Sequence, residues 1–222
     1  MGKQVKITAE DGHQFDAYLA ESESPRAALI VIQEIFGVNS HIRSVADGYA
    51  AQGYLAIAPA LFDRVETNVE LGYNAEDTKR GMGMATQIGM DNMLKDVAAS
   101  IQYGRQLWRD LNVGVVGFCL GGSLAWLAAT RLGADAAVGY YGGRIAQNAN
   151  ETPSCPVMLH FGAKDAHIGP EQIETIRKAH PEVSLFLYDA GHGFNCDQRK
   201  DYEPKSAALA LQRTLGLFRT NL

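Results

Sequence analysis

A cysteine in a glycine-rich bend is the first place in these 222 residues where chemistry can be expected. The stretch Gly117-Phe118-Cys119-Leu120-Gly121-Gly122 follows the strand-like run Val113 to Val116 and leads into a helix-like segment, Leu120 to Leu132. A sharp strand-to-helix turn forces its middle residue into strained backbone geometry, and crowding at both flanks leaves room only for hydrogen, here at Gly117 and Gly121. Gly122 then lets the new helix pack close to a sheet. Such a turn exposes the Cys119 side chain at a helix N-terminus, where partial positive charge and free N–H groups favour a thiolate. Taken alone, the same bend also suits a buried, inert cysteine.

Two further positions make the reactive reading the stronger one. A nucleophile on such a turn calls for an acid after a later strand and a histidine after the last strand. Asp165 follows the apolar run Val157 to Phe161, and His192 follows Val183 to Tyr188 within Ala190-Gly191-His192-Gly193-Phe194. An imidazole can take the thiol proton, or pair with a thiolate, when its other nitrogen is held by an acceptor such as Asp165. The order Cys119, Asp165, His192 is that of an α/β-hydrolase. His167 is close enough to Asp165 to compete as its partner, but it does not follow the last strand. Gln33-Glu34-Ile35-Phe36-Gly37 closes the first buried strand, the loop that supplies one oxyanion-hole N–H in this architecture. The donors expected are the backbone N–H groups of Ile35 and Leu120. Glu34 would then lie near Cys119, where a carboxylate favours the neutral thiol while His192 and the helix terminus favour the thiolate. The competing reading of Glu34 is a surface carboxylate at a strand end.

These residues must be positioned by a framework, and hydrophobic patterning supplies one. Val5 to Thr8 and Phe15 to Leu19 read as a hairpin turning at Asp11-Gly12. Ala27 to Ile32 and Tyr54 to Ala58 are buried strands flanking an amphipathic helix, Ser40 to Gln52, that stops at Gly53. Residues 62–89 have weak periodicity and many glycines, and read as a loop with a short helix. Asp91 to Leu107 is a helix, Ala136 to Tyr140 a strand, Pro170 to Ala179 a helix, and Ala207 to Phe218 a closing amphipathic helix. Alternating strands and helices imply a doubly wound, mostly parallel sheet with helices on both faces, the α/β class, in a single domain spanning residues 1–222. Ligands of such sheets bind outside the carboxyl ends of the strands, where all the candidate residues fall.

Composition excludes several partners. A net charge of −5 spread along the chain argues against nucleic acid, which wants a concentrated basic surface. Apolar runs such as Ala27 to Ile32 are too short to cross a bilayer, the strand-like opening after Met1 has no signal-peptide core, and Lys6 stands where a myristoylation signal wants Ser or Thr. Three widely spaced cysteines, Cys119, Cys155 and Cys196, read as reduced thiols and point to the cytoplasm. No C-x-x-C or H-x-x-x-H pair supports a structural zinc site, and no cofactor is expected. Cys155 reads as packing before a core strand, and Cys196 as a pocket-lining or loop thiol. His13, His41, His160 and His180 read as solvent-facing or structural, and Trp108 and Trp126 as core.

Together these segments resemble the dienelactone hydrolase family of α/β-hydrolases, also called carboxymethylenebutenolidases. The resemblance rests on Gln33-Glu34-Ile35-Phe36-Gly37-Val38-Asn39, Gly53-Tyr54, Pro59-Ala60-Leu61-Phe62, the elbow at Cys119, and the segments around Asp165 and His192. It implies hydrolysis of a lactone or carboxylic ester through an acyl-enzyme on Cys119, with Glu34 restraining the thiol until substrate arrives. The family holds its substrate carboxylate with arginines, one of them four residues beyond the histidine. That position here is Cys196, so Arg199 and, in the glycine-rich segment, Lys79 or Arg80 are the substitute cations. A broader thioesterase or peptidase on the same scaffold is the alternative enzyme, and a non-catalytic ligand binder or oxidant sensor the alternative outside enzymes. The expected partner is a small-molecule ester or lactone, with no nucleic acid and no membrane, and the expected state is a monomer or weak homo-oligomer.

Overall fold

A computed structural model describes residues 2–108 and 111–222; Met1, Arg109 and Asp110 lie outside the described residues. The chain divides into two compact units, one running to Gly114 and including Leu222, the other Val115–Asn221.

In the first unit, β1 (Lys3–Thr8) and β2 (Gln14–Ala20) form the expected antiparallel hairpin, and β2 pairs antiparallel with β4 (Leu55–Pro59). β3 (Ala28–Ile32) pairs parallel with β4, giving the order β1-β2-β4-β3. Every residue of β3 and β4 is buried, which explains their unbroken apolar character. Helix α1 (Ser40–Ala51) is capped by Asn39, whose Oδ1 accepts from the Ile42 N–H at 3.3 Å.

The expectation for residues 62–89 needs correction. After a short 3₁₀ turn at Leu61–Arg64 the segment holds a full helix, α2 (Ala75–Ile88), of 14 residues. Asn74 caps it by accepting the Asp77 N–H at 2.8 Å, and Glu76 and Asp77 place negative charge in its first turn. Gly81, Met84 and Ile88 form its buried stripe. Gly81 lowers helix propensity, and this masks the periodicity in the sequence, but a Cβ there would overlap the Ile35 carbonyl. The glycine lets α2 lie directly on the backbone of the loop after β3. Helix α3 (Met90–Leu107) follows and packs on β1, β3 and β4. Trp108, expected in the core, is 44% exposed at the end of α3.

In the second unit the strands run β5-β6-β7-β8, with β5 (Val113–Phe118) entering the unit at Val115, β6 (Ala136–Tyr140), β7 (Val157–Gly162) and β8 (Ser184–Tyr188). β6, β7 and β8 are parallel neighbours, with Tyr140 opposite His160 and Gly162 opposite Tyr188. Helix α4 (Leu120–Arg131) packs on β6; α5 (Pro170–Ala179) follows β7; α6 (Pro204–Asn221) packs on β6 and β7. The result is the expected α/β architecture with a mostly parallel sheet. No helix among the described residues is long and apolar enough to cross a membrane.

Because Gly81 meets backbone rather than a yielding side chain, Gly81→Ala should lower stability by about 1–3 kcal/mol, the usual cost of overpacking. Thermal unfolding of the variant checks this, and an unchanged melting temperature would mean that the α2 contact on Ile35 yields easily.

Candidate active site

The bend at Cys119 has the geometry its glycines imply. Cys119 sits at φ 55° and ψ −111°, a left-handed value that side-chain-bearing residues rarely adopt. Its N–H donates to the Tyr140 carbonyl at 3.0 Å, and its carbonyl accepts from Ser123 N–H at 3.2 Å as α4 begins. A Cβ on Gly117 would overlap the Gly121 carbonyl, and one on Gly122 would overlap the Tyr140 carbonyl. Glycine is therefore required before Cys119 for the turn itself, and after it for contact with β6. Leu120 is the first residue of α4, so its N–H belongs to the terminal set that has no partner within the helix.

Asp165 and His192 converge on this cysteine. His192 Nδ1 lies 2.7 Å from Asp165 Oδ2, and His192 Nε2 lies 3.2 Å from Cys119 Sγ. The Asp165 side chain is fully buried and the His192 side chain 13% exposed, while Cys119 is partly exposed. The second carboxylate oxygen of Asp165 accepts the backbone N–H of His167 at 2.8 Å and of Ile168 at 3.2 Å. The competition between the two histidines is thereby settled geometrically. His192 takes the carboxylate through its ring, whereas His167 binds it through the main chain and lies edge-on to the His192 ring, centroids 5.2 Å apart.

Burial works against charge on both partners, and their mutual interactions prevail. Burial alone would raise the Asp165 pKa, but the hydrogen bond and charge of His192 and the two backbone N–H groups hold it below its ordinary value. Burial likewise disfavours the His192 imidazolium, yet the hydrogen bonds and charges of Asp165 and Cys119 push its pKa up to about 10.

The remaining candidates are placed as follows. Glu34 is buried in the loop after β3, 1% exposed, with its carbonyl accepting Gln33 Nε2 at 3.1 Å. Gln33 Oε1 in turn accepts the Leu61 N–H at 3.1 Å, tying that loop to the end of β4. A surface carboxylate is therefore the wrong description of Glu34. Ile35 lies in the same loop under α2. Arg80, expected in a loop, is instead on α2 and exposed, with Nη2 at 2.6 Å from Glu66 Oε1; its charge already has a partner. Arg199 is half-buried, and a Cβ on Gly193 would lie 2.6 Å from its Cζ, so its guanidinium covers the backbone of the residue after His192. Cys196 is fully buried.

Sequence reasoning missed the main-chain N–H groups that hold Asp165, which no residue type announces. It also missed Tyr141. This residue is fully buried at φ 39°, and its ring lies 5.0 Å from that of His192 and 5.5 Å from that of Phe194. A side-chain-bearing residue at positive φ is invisible in a one-dimensional pattern.

The model of the dienelactone hydrolase family matches residues 15–222. The chain belongs to that family. Carboxymethylenebutenolidase 1 of Cupriavidus pinatubonensis is 32% identical over 96% of this chain and 95% of its own length. The carboxymethylenebutenolidase of Pseudomonas putida is also 32% identical, over 96% and 94%. A crystal structure of a candidate dienelactone hydrolase from Klebsiella pneumoniae superposes with a TM-score of 0.85 at 29% identity and covers 99% of both chains. The protein is a hydrolase of the dienelactone hydrolase family with the α/β-hydrolase fold.

The electrostatics of the pair predict a pH dependence of stability. The folded pKa of His192 lies above its ordinary 6.5, so its contribution is complete below pH 6.5 and is lost as pH rises toward about 10. The melting-temperature difference between wild type and His192→Gln should therefore be largest near pH 6 and shrink on the way to pH 10. A difference that grows over that range would contradict the assignment.

Proposed function

We propose that this dienelactone hydrolase family member cleaves a carboxylic ester or lactone through a covalent acyl-enzyme on Cys119. The observation that carries the reading is the continuous hydrogen-bonded chain from Asp165 Oδ2 through His192 to Cys119 Sγ. In the first half-reaction the proton shared with Cys119 lies on His192 Nε2, as its raised pKa favours, and Sγ attacks the carbonyl carbon. The oxyanion that forms is held by the N–H groups of Leu120 and Ile35. Collapse breaks the carbon–oxygen bond, and the leaving oxygen takes the proton from His192; with a lactone it stays tethered as the hydroxyl of the opened ring. In the second half-reaction a water gives its proton to His192 and attacks the thioester, releasing the carboxylic acid and restoring the thiol. Asp165 stays ionised throughout and holds the imidazole in the required tautomer. These steps use only protein groups and water.

The finer assignments belong to the same reading. Glu34 is assigned the restraint of Cys119 until substrate displaces it, a role supported by its burial and by its place in the Gln33-to-Gly37 motif. Relatives named carboxymethylenebutenolidase favour a lactone carrying a carboxylate. With Cys196 in the position of the family's arginine, Arg199, whose guanidinium lies against the backbone of Gly193 beside His192, is the cation assigned to that carboxylate. A cytoplasmic location is part of the same reading, supported by three free cysteines that suit a reducing compartment.

Cys119→Ala should abolish turnover of p-nitrophenyl acetate and of a dienelactone, and Cys119→Ser should retain a small fraction of wild-type kcat at best. Steady-state assays on folded variants check this. An alanine variant with wild-type turnover would overturn the mechanism.

A further inference from the structure

The second unit contains a buried chain of polar side chains that the proposed chemistry does not use. Thr214 of α6 is fully buried, and its Oγ1 lies 2.7 Å from Tyr140 Oη of β6 and 3.1 Å from His160 Nε2 of β7. His160, also fully buried, bonds through Nδ1 to Tyr188 Oη of β8 at 2.8 Å, and Arg213 Nη1 donates to the same phenol at 3.0 Å. One helix and three adjacent strands are thus joined by side chains alone, in a core where each unpaired polar group is costly. Burial, and secondarily the charge of Arg213, lower the His160 pKa to about 3, so the imidazole is neutral and offers one donor and one acceptor.

The backbone of these same residues carries the candidate triad. The Tyr140 carbonyl accepts the Cys119 N–H at 3.0 Å. The His160 carbonyl accepts the N–H of Tyr141, whose ring packs on His192, at 2.7 Å. The Tyr188 carbonyl accepts the N–H of Ala163 at 2.7 Å and of Ala190 at 2.8 Å, which fixes the chain two residues before Asp165 and two before His192. The main chain of β6 at Tyr140 thus holds Cys119, that of β8 at Tyr188 holds the segments before Asp165 and His192, and that of β7 at His160 holds Tyr141 against the His192 ring.

We propose that Thr214 is a positioning residue for the Cys119–His192–Asp165 triad, tying Tyr140 and His160 together so that the ends of β6, β7 and β8 keep Sγ within reach of Nε2. The inference rests on the triad reading given above. Hydrogen bonding is the reason for a threonine here. Valine has the same shape but leaves Tyr140 and His160 each short of a partner, whereas serine keeps the hydroxyl. A misplacement well under 1 Å at the triad suffices to slow chemistry without weakening substrate binding.

Thr214→Val should lower kcat about tenfold with KM within about twofold of wild type, and should shift the pH profile of Cys119 alkylation by iodoacetamide. Thr214→Ser should restore both, with all assays run well below each variant's melting temperature. Unchanged kcat and alkylation profile in a valine variant that is merely less stable would overturn the proposal, and so would a serine variant as slow as the valine one. If the valine variant does not fold, Tyr140→Phe removes one of the two bonds and decides the matter: a lowered kcat supports the proposal and an unchanged kcat overturns it. Cys119→Ala assayed in parallel separates the two claims. Turnover without the thiol would refute the triad itself, whereas loss of turnover there with a wild-type Thr214→Val profile refutes only the role of Thr214.

Discussion

The site depends on one backbone constraint: Cys119 is held at positive φ between the end of β5 and the start of α4. Two close backbone approaches accompany that conformation. The tight turn needs Gly117 to avoid the Gly121 carbonyl, and the approach of α4 to β6 needs Gly122 to avoid the Tyr140 carbonyl. Strain of this kind costs of order 1–3 kcal/mol and persists only where packing over-determines it. Here α4 is buried along most of its length, from Gly121 through Ala129, so the surrounding core supplies that determination. The consequence is chemical. The thiol stands clear of the sheet at a helix N-terminus, in reach of an imidazole delivered from another strand end.

Electrostatic balance then decides what the thiol can do. Asp165 is buried, a location that by itself would favour the neutral acid, and it is kept ionised by His192 and by two main-chain donors. That charge, with the neighbouring sulfur, favours a protonated His192 well above its ordinary range. A proton shared between sulfur and imidazole is the arrangement that acyl transfer by a thiol requires. Outside this pair, two other histidines of the second unit are occupied structurally. His160 joins the Thr214 network, and His180 bonds Glu182 and the Ala149 carbonyl while packing on Trp126.

Much of this was legible in the sequence, for physical reasons that differ by residue. Fully buried strands such as β3 and β4 show as uninterrupted apolar runs, and the Gly-x-Cys-x-Gly-Gly spacing encodes a turn that only glycine permits. The order of Asp165 and His192 after successive strands follows from parallel topology, which delivers strand ends to one edge. What escaped was set by tertiary contact. Helix α2 hid behind Gly81, a residue kept for its approach to the Ile35 carbonyl rather than for helicity. Trp108 was expected in the core because tryptophan usually is, yet it closes α3 half-exposed. Arg80 is held by Glu66, 14 residues earlier, a pairing that no local pattern encodes. The polar network through Thr214 links residues up to 74 positions apart, a span at which no local pattern speaks.

The central claim is a covalent intermediate on Cys119 sulfur, and intact-protein mass spectrometry after rapid mixing with p-nitrophenyl acetate tests it most directly. The account predicts a transient mass increase of one acetyl group, mapped to Cys119 by peptide analysis and formed together with a burst of p-nitrophenol. Full turnover with no acyl adduct on Cys119 at any mixing time, or with the adduct on a different residue, would contradict it.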